Sequence, residues 1–368
     1  MKITFRAGCA AIVACTLFLL MTDATAQVPV GYPSSYADIV AAAKKEGRVV
    51  IYAATDLKAS IYLIKDFEAL YPGIKVEYNE IRSTELYNRY TGEMRTSQPS
   101  ADLLWGSAMD LMIKLVNDGF AQVYKSPESN KLPSWATWRD EAYGTTYEPI
   151  VFVYNKRLVT GNDIPQTHAG LEKLLTSQPA RFKDKVITYD AEYGIGFTLA
   201  TQDNKSMHGS WDLVKAMGAV NLQQVTSTAV MLEKIASGES LIGYNLLGSY
   251  VAVSAKTDPA LGYVLPKDYT LVISRIAFIS NAAKNANAAR LFLDYLLSQR
   301  GQTVMATKSN LHAIRADVEG EFTASALTKL HGKSIKPINV GQGLLFYLDA
   351  TKRAKFLDMW KQATTRQR

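Results

Sequence analysis

The feature that most constrains this chain is a regular exchange between two hydrophobic periods. From Ser34 to Phe120, short apolar runs bounded by turn residues alternate with stretches whose apolar residues recur every three or four positions. "SSYADIVAAAKKEG" reads as a capped amphipathic helix stopped at Gly47, and "VVIYA" as a strand. "LKASIYLIKDFEALYPG" is a second helix, with Ile61, Ile64, Phe67 and Leu70 along one stripe and Pro72-Gly73 ending it. "IKVEYNEI" alternates as a strand, "STELYNRYTGEMRT" is a helix, "ADLLW" a strand, and "MDLMIKLVNDGF" a helix stopped at Gly119. Strands and helices alternating at this spacing predict a parallel sheet, because two parallel strands need a crossover about as long as a helix.

The rhythm breaks twice. "YGTTYEPIVFVYNK" (143–156) is a long extended run, and "YTLVISRIAFIS" (269–280) is another. Between them the α/β pattern resumes, with strands at "KVITYD" and "LIGYNLL" and helices at "GIGFTLATQ", "SWDLVKAMGAV" and "AVMLEKIASGES". "KNANAARLFLDYLLSQRGQTVM" reads as one long amphipathic helix, followed by a tail of short helices. The pattern predicts two α/β lobes joined by extended crossings, a hinged clamshell. Residues 27–148 and 266–368 are assigned to the first lobe and 149–265 to the second.

The first 26 residues carry a different signal. Lys2 and Arg6 precede an apolar run from Ala10 to Met21, and "ATA" (24–26) is a small-x-small cleavage site. This is the pattern of a secretory leader, with the run too short for a membrane span. Both cysteines, Cys9 and Cys15, fall inside it. An exported chain cut after Ala26 therefore has no disulfide, thiolate nucleophile or cysteine metal site. "IVAC" (12–15) superficially matches a lipoprotein box, but cutting there would leave "TLFLLM" on the mature chain.

Composition excludes little but helps. The 368 residues carry a formal charge of +7, with basic and acidic residues intermixed. No basic block interleaved with aromatics argues for nucleic acid. The four histidines, His168, His208, His312 and His331, form no metal-ligand spacing. "LLGSYV" is not a nucleophile elbow and "YGIGFT" is not a phosphate-binding P-loop. No enzyme signature, metal site or cofactor motif stands out.

In open α/β sheets ligands bind beyond the carboxyl ends of the strands, so the loops there hold the candidates. Thr55-Asp56, Ser83-Thr84 and Ser107 each lie between a strand end and a helix start. A hydroxyl or carboxylate in that place can cap the helix, or it can share a bound ligand with the exposed N–H groups. Ser107 with Asp110 resembles a capping box, and Ser107 is expected both to cap its helix and to face the cleft. Arg82 would add a fork of donors. In the second lobe, Asp190, Tyr193 and Gly194 lead into a helix at "DAEYGIG", where backbone N–H groups could cradle an oxyanion or form a plain turn. Tyr244 and Ser249 follow the "LIGYNLL" strand, and Ser274 and Arg275 lie in the second crossing.

"EGRVVIYAATD", "FEALYPGIKVEYNEI", "SADLLWGSAMDLMIKLVNDGFAQVY", "YEPIVFVYNKRLV", "IASGESLIGYNLLGSYV" and "AAKNANAARLFLDYLLSQRGQ" arrive in that order. The chain resembles the periplasmic solute-binding proteins of ABC importers, in the ferric-iron-binding-like branch of the type II fold, across nearly all of the mature length. The resemblance implies a two-lobed type II clamshell with extended hinge crossings, no catalysis, and an inner-membrane permease as partner. Iron-binding members use a first-loop His, a Glu after the third strand and two adjacent tyrosines. Here Asp56 stands near the first position and Ser107 at the second. Gly248-Ser249 falls where the tyrosines would be, flanked by single Tyr244 and Tyr250. Ferric iron prefers anionic oxygen ligands, so this set departs from that site. Members that bind phosphorylated sugars through serines, backbone N–H groups and arginines suit Ser83, Ser107 and the Gly194 loop better.

The expectation is thus a monomeric periplasmic solute-binding protein that captures a small organic anion, such as a sugar phosphate, without metal, cofactor or nucleic acid. Ferric iron with altered ligands, a phosphohydrolase-like enzyme on the same scaffold, and service to a sensor kinase are the alternatives.

Overall fold

The computed structural model describes residues 28–98 and 100–365. The expected leader and cleavage site and both cysteines lie outside the described residues. The strands are β1 (Arg48–Ala53), β2 (Lys75–Glu80), β3 (Leu103–Gly106), β4 (Thr137–Trp138), β5 (Ala142–Gly144), β6 (Glu148–Asn155), β7 (Val186–Tyr189), β8 (Gln223–Val225), β9 (Ile242–Leu247), β10 (Leu261–Val264), β11 (Thr270–Ile273), β12 (Ile276–Ile279) and β13 (Ile335–Pro337). The helices are α1 (Tyr36–Glu46), α2 (Leu57–Leu70), α3 (Ser83–Arg95), α4 (Met109–Asn117), α5 (His168–Ser177), α6 (Pro179–Phe182) and α7 (Gly194–Ser206), then α8 (Ser210–Ala219), α9 (Thr228–Ser237), α10 (Gly248–Thr257), α11 (Ala286–Leu297), α12 (Gln299–Val304), α13 (Ala324–His331) and α14 (Ala350–Thr364). Among the described residues no helix is long and apolar enough to cross a membrane.

Two sheets form the two lobes. The first runs β2-β1-β3-β12-β5-β4 and the second β13-β11-β6-β9-β7-β8, with β10 beside β6. The expected parallel pairing holds for β2-β1-β3, but β12 joins β3 antiparallel and β6 joins β9 antiparallel. Both sheets are therefore mixed. β6 and β12 are each entered from the other sheet, so no helical crossover fixes their direction.

Strand periodicity decides which helix covers which face of the first sheet. Val49, Ile51, Ala53, Leu103, Trp105, Ala277 and Ile279 pack with Leu63 and Phe67 of α2 and with Phe292 of α11. The alternate residues Tyr52, Leu104, Ile276 and Phe278 pack with Leu86 of α3 and Met109 and Ile113 of α4. A residue and its neighbour in a strand point to opposite faces, so α2 and α11 lie on one side and α3 and α4 on the other.

The chain passes between the sheets at 145–147 and at Ser274-Arg275, and the two crossings bond to each other. Thr145 N–H donates to the Arg275 carbonyl at 2.9 Å and Arg275 N–H to Thr146 Oγ1 at 2.9 Å. Two other expectations differ from the structure. The long helix after Lys284 breaks at Ser298, whose extended backbone and hydroxyl, accepting from Gly301 N–H, start α12 afresh. The tail, expected to be short helices on the first lobe, has β13 in the second sheet and ends in the 15-residue α14 on the second lobe. Phe356 and Trp360 of α14 are buried with Phe197 and Met217 there. Gly218 permits the approach: a Cβ on it would stand 2.0 Å from the Ala363 carbonyl.

Candidate functional site

The carboxyl ends of β1, β2 and β3 open onto a cavity of about 710 Å³ whose walls come from both lobes. Five helices present their first turn or cap residue to it, α2 and α3 from the first lobe through Asp56 and Ser83, and α7, α9 and α10 from the second through Ile195, Thr228 and Tyr250; Ser107, two residues ahead of α4, adds a sixth strand-to-helix junction. None of the six starts carries a side-chain cap. Side-chain caps occur instead at Thr167, Ser298, Thr323 and Asp349, which do not line the cavity. An uncapped helix start leaves N–H donors and a partial positive charge for whatever lies in front of it. Some first-turn donors are already taken: Leu57 N–H donates to Glu80 Oε2 at 2.8 Å, Ala59 N–H to the Asp56 carbonyl at 3.0 Å and Gly196 N–H to the Tyr193 carbonyl at 3.0 Å.

Arg275 sits at the floor where the crossings meet. It is fully buried and pairs with the equally buried Glu148, Nε to Oε1 at 2.7 Å and Nη2 to Oε2 at 3.1 Å. Nη1 donates to Thr55 Oγ1 at 3.0 Å, which ties the crossing to the first loop of the first lobe. Burial opposes the charge of Arg275, but the Glu148 carboxylate, with Tyr250 and Asp56, holds its pKa above the ordinary arginine value. Asp56 has its own pKa raised, first by partial desolvation; Arg275 works against that rise and Glu80 adds to it. Tyr250 lies at this floor with Arg275 5.3 Å from its ring centroid.

Of the residues chosen from sequence, Asp56, Arg82, Ser83, Ser107 and Arg275 line the cavity. Ser107 does so differently from the expectation. The helix begins at Met109 with Ala108 in the cap position, so Ser107 stands one residue too early to reach the first-turn N–H groups. Asp110 makes no capping box either; its carboxylate accepts from Thr198 of the other lobe at 2.5 Å. Gly194 brings the lobes together, since a Cβ there would stand 3.4 Å from the Ser83 Cβ.

The remaining choices do not line the cavity. Thr55 is buried beneath it as the acceptor for Arg275. Asp190 accepts from Glu192 N–H in a turn at 2.9 Å, and Tyr193 is half exposed ahead of α7. Tyr244 donates to Asp203 at 2.8 Å inside the second lobe. Ser249 bonds His312 Nδ1 at 2.8 Å, and Ser274 Oγ accepts from Thr146 N–H at 3.1 Å, both at the buried hinge. These side chains fix the frame because a buried hydroxyl needs a partner, and the interior supplies one.

Sequence reasoning missed Tyr189, Ser227, Thr228 and Tyr250, and the segment Lys308–Asn310. "TST" (226–228) before the α9 stripe was a readable helix start. Tyr250 is one residue beyond the chosen Ser249, a matter of helical phase. Lys308–Asn310 follows from a π-helical turn over Met305–Ser309, for which the sequence holds no signal. Among the described residues no group of three or more His, Cys, Asp or Glu side chains could hold a metal ion.

Residues 62–329 match the family model of bacterial extracellular solute-binding proteins. Among solved structures, the substrate-binding protein of an ABC transporter from Agrobacterium tumefaciens is 36% identical over 88% of this chain and 97% of its own, with a TM-score of 0.82. The periplasmic binding protein AfuA from Actinobacillus pleuropneumoniae, solved with exogenous fructose-6-phosphate bound, is 20% identical over 87% and 99%, with a TM-score of 0.69. A ferric binding protein from Campylobacter jejuni is 20% identical over 86% and 100%, with a TM-score of 0.68. No curated protein matches the chain.

Proposed function

The chain belongs to the bacterial extracellular solute-binding proteins, the solute-binding components of ABC transporters, and on that premise we propose that its solute is a small phosphorylated organic anion. One observation carries the reading: five uncapped helix starts, two from the first lobe and three from the second, face one cavity, with Ser107 just ahead of a sixth. Helix N-termini favour anions through their free N–H groups and their dipoles. The hydroxyls of Ser83, Ser107 and Ser227 and the Arg82 guanidinium stand among them as further donors. Asp56 favours a ligand that brings hydroxyls as well, since an ionised carboxylate repels an anion but accepts from a hydroxyl. A phosphorylated sugar or polyol meets both demands. AfuA, a relative in fold, was solved with such a ligand.

In this reading the exported protein is monomeric and periplasmic. It holds its solute between the lobes and presents both to a membrane permease. Differential affinity for one lobe arrangement selects the form that the permease meets. Calorimetric titration with fructose 6-phosphate, free fructose and ferric citrate tests it. Binding of the phosphate ester alone supports the reading. Binding of ferric iron with no organic anion retained, or of free fructose as tightly as its phosphate, overturns it.

A further inference from the structure

The donors around the cavity come from opposite faces of the first sheet. Arg82, Ser83 and Ser107 belong to the starts of α3 and α4, whose residues pack on the face that carries Tyr52, Leu104 and Phe278. Lys58 and Tyr62 of α2, with Lys308, Ser309 and Asn310, arrive from the other face, where Leu63 and Met305 pack together. Successive strand residues point to opposite faces, so the two groups approach the cavity from opposite sides of the sheet. Asp56 and Arg275 lie at the strand edge between them.

The second group is built for a ligand. Met305–Ser309 forms a π-helical turn that closes at Asn310 in the left-handed region, φ 53°. Such turns are costly and concentrate at functional sites. Ser309 is buried, lines the cavity, and leaves its hydroxyl without a hydrogen-bond partner. Neither Lys58 nor Lys308 has an acidic partner among the ion pairs of the described residues. The carboxylates of Glu80, which accepts from Leu57 N–H, and of Asp56 also line the cavity, but neither forms an ion pair with these lysines.

Building on the anion-binding reading above, we infer that Lys308, Lys58 and Ser309 form a second anion subsite, and that the solute is a hydroxylated chain or ring with an anionic group at each end. One end meets the α3 and α4 starts and the other meets the π-helical turn. The hydroxyls between them face Asp56.

Titrating the wild type and Lys308→Ala with fructose 6-phosphate and fructose 1,6-bisphosphate tests this. Lys308 is exposed, so the variant folds. The bisphosphate is expected to bind at least about tenfold more tightly than the monophosphate, the effect of one added charge-assisted contact. Lys308→Ala should bring that ratio towards one, and Lys308→Arg should keep it. Equal affinities in the wild type, or a ratio that Lys308→Ala leaves intact, overturn the second subsite while the anion reading stands. Failure of both sugar phosphates to bind overturns both.

Discussion

Ser107 shows how far a residue type reads without its backbone. A serine between a strand and an apolar helix is a cap by default. Here the cap position is Ala108, and Ser107 keeps an unbonded hydroxyl at the cavity. Ser107→Ala should therefore weaken fructose 6-phosphate binding about ten- to a hundredfold, the cost of roughly 1.5–3 kcal/mol for a bond to a charged group. The ligand-free unfolding midpoint should stay where it is, as a lost cap would cost about 1 kcal/mol. Lower apo stability with unchanged affinity would make the serine merely structural. Glu148 is the contrasting case. It reads in sequence as an ordinary acid in a strand, yet it neutralises a buried arginine. Glu148→Gln leaves Arg275 charged and unpaired in the interior, and denaturant unfolding should show a loss of about 3–5 kcal/mol. Residue types at strand ends were legible in sequence. Which of them turned inward was not, because that depends on helical phase and on partners distant in sequence, such as His312, 63 residues beyond Ser249.

At the scale of elements, periodicity was a good guide wherever one face meets the core. α1 through α4 and β1 through β3 fall where the apolar pattern places them. The break at Ser298 is a local serine cap inside an otherwise continuous apolar pattern, and the π-helical turn after Val304 packs against α2 with nothing in its own sequence to announce it. A titratable tie joins α1 to α11. Asp294 of α11 is buried and accepts from Tyr36 at 2.7 Å, Tyr124 at 2.5 Å and Ser126 at 2.5 Å. Burial outweighs these bonds and pushes its pKa up to about 7. The folded state then holds a proton that the unfolded state releases above about 4. Stability from this group is full below that pH and is lost as pH rises to about 7. His312 has the opposite slope. Burial lowers its pKa to about 4, so stability from it falls as pH drops below the ordinary histidine value of about 6.5. Asp294→Asn isolates the first effect: its midpoint, relative to wild type, should rise between pH 4 and pH 7. A constant difference across that range would show that Asp294 titrates alike in both states.

Across the whole molecule, two lobes and two crossings were legible because long extended runs interrupt the α/β rhythm. The route of the tail was not. α14 reaches the second lobe because Gly218 admits it and Phe356 and Trp360 find a core there, and neither condition is local to the tail. The lobes also touch through Asp110 and Thr198, both buried. Thr198→Val removes that donor at nearly constant shape. Ligand-free small-angle scattering should then report a larger radius of gyration, with an unchanged radius meaning that this bond does not hold the lobes. The central claim concerns what lies between them. Its most direct test is native mass spectrometry of protein exported and purified without refolding, compared with Ser107→Ala. The account predicts a copurifying small phosphorylated organic anion, bound one per chain and depleted in the variant. A bare ferric ion in its place, or an uncharged solute retained equally by both proteins, would contradict it.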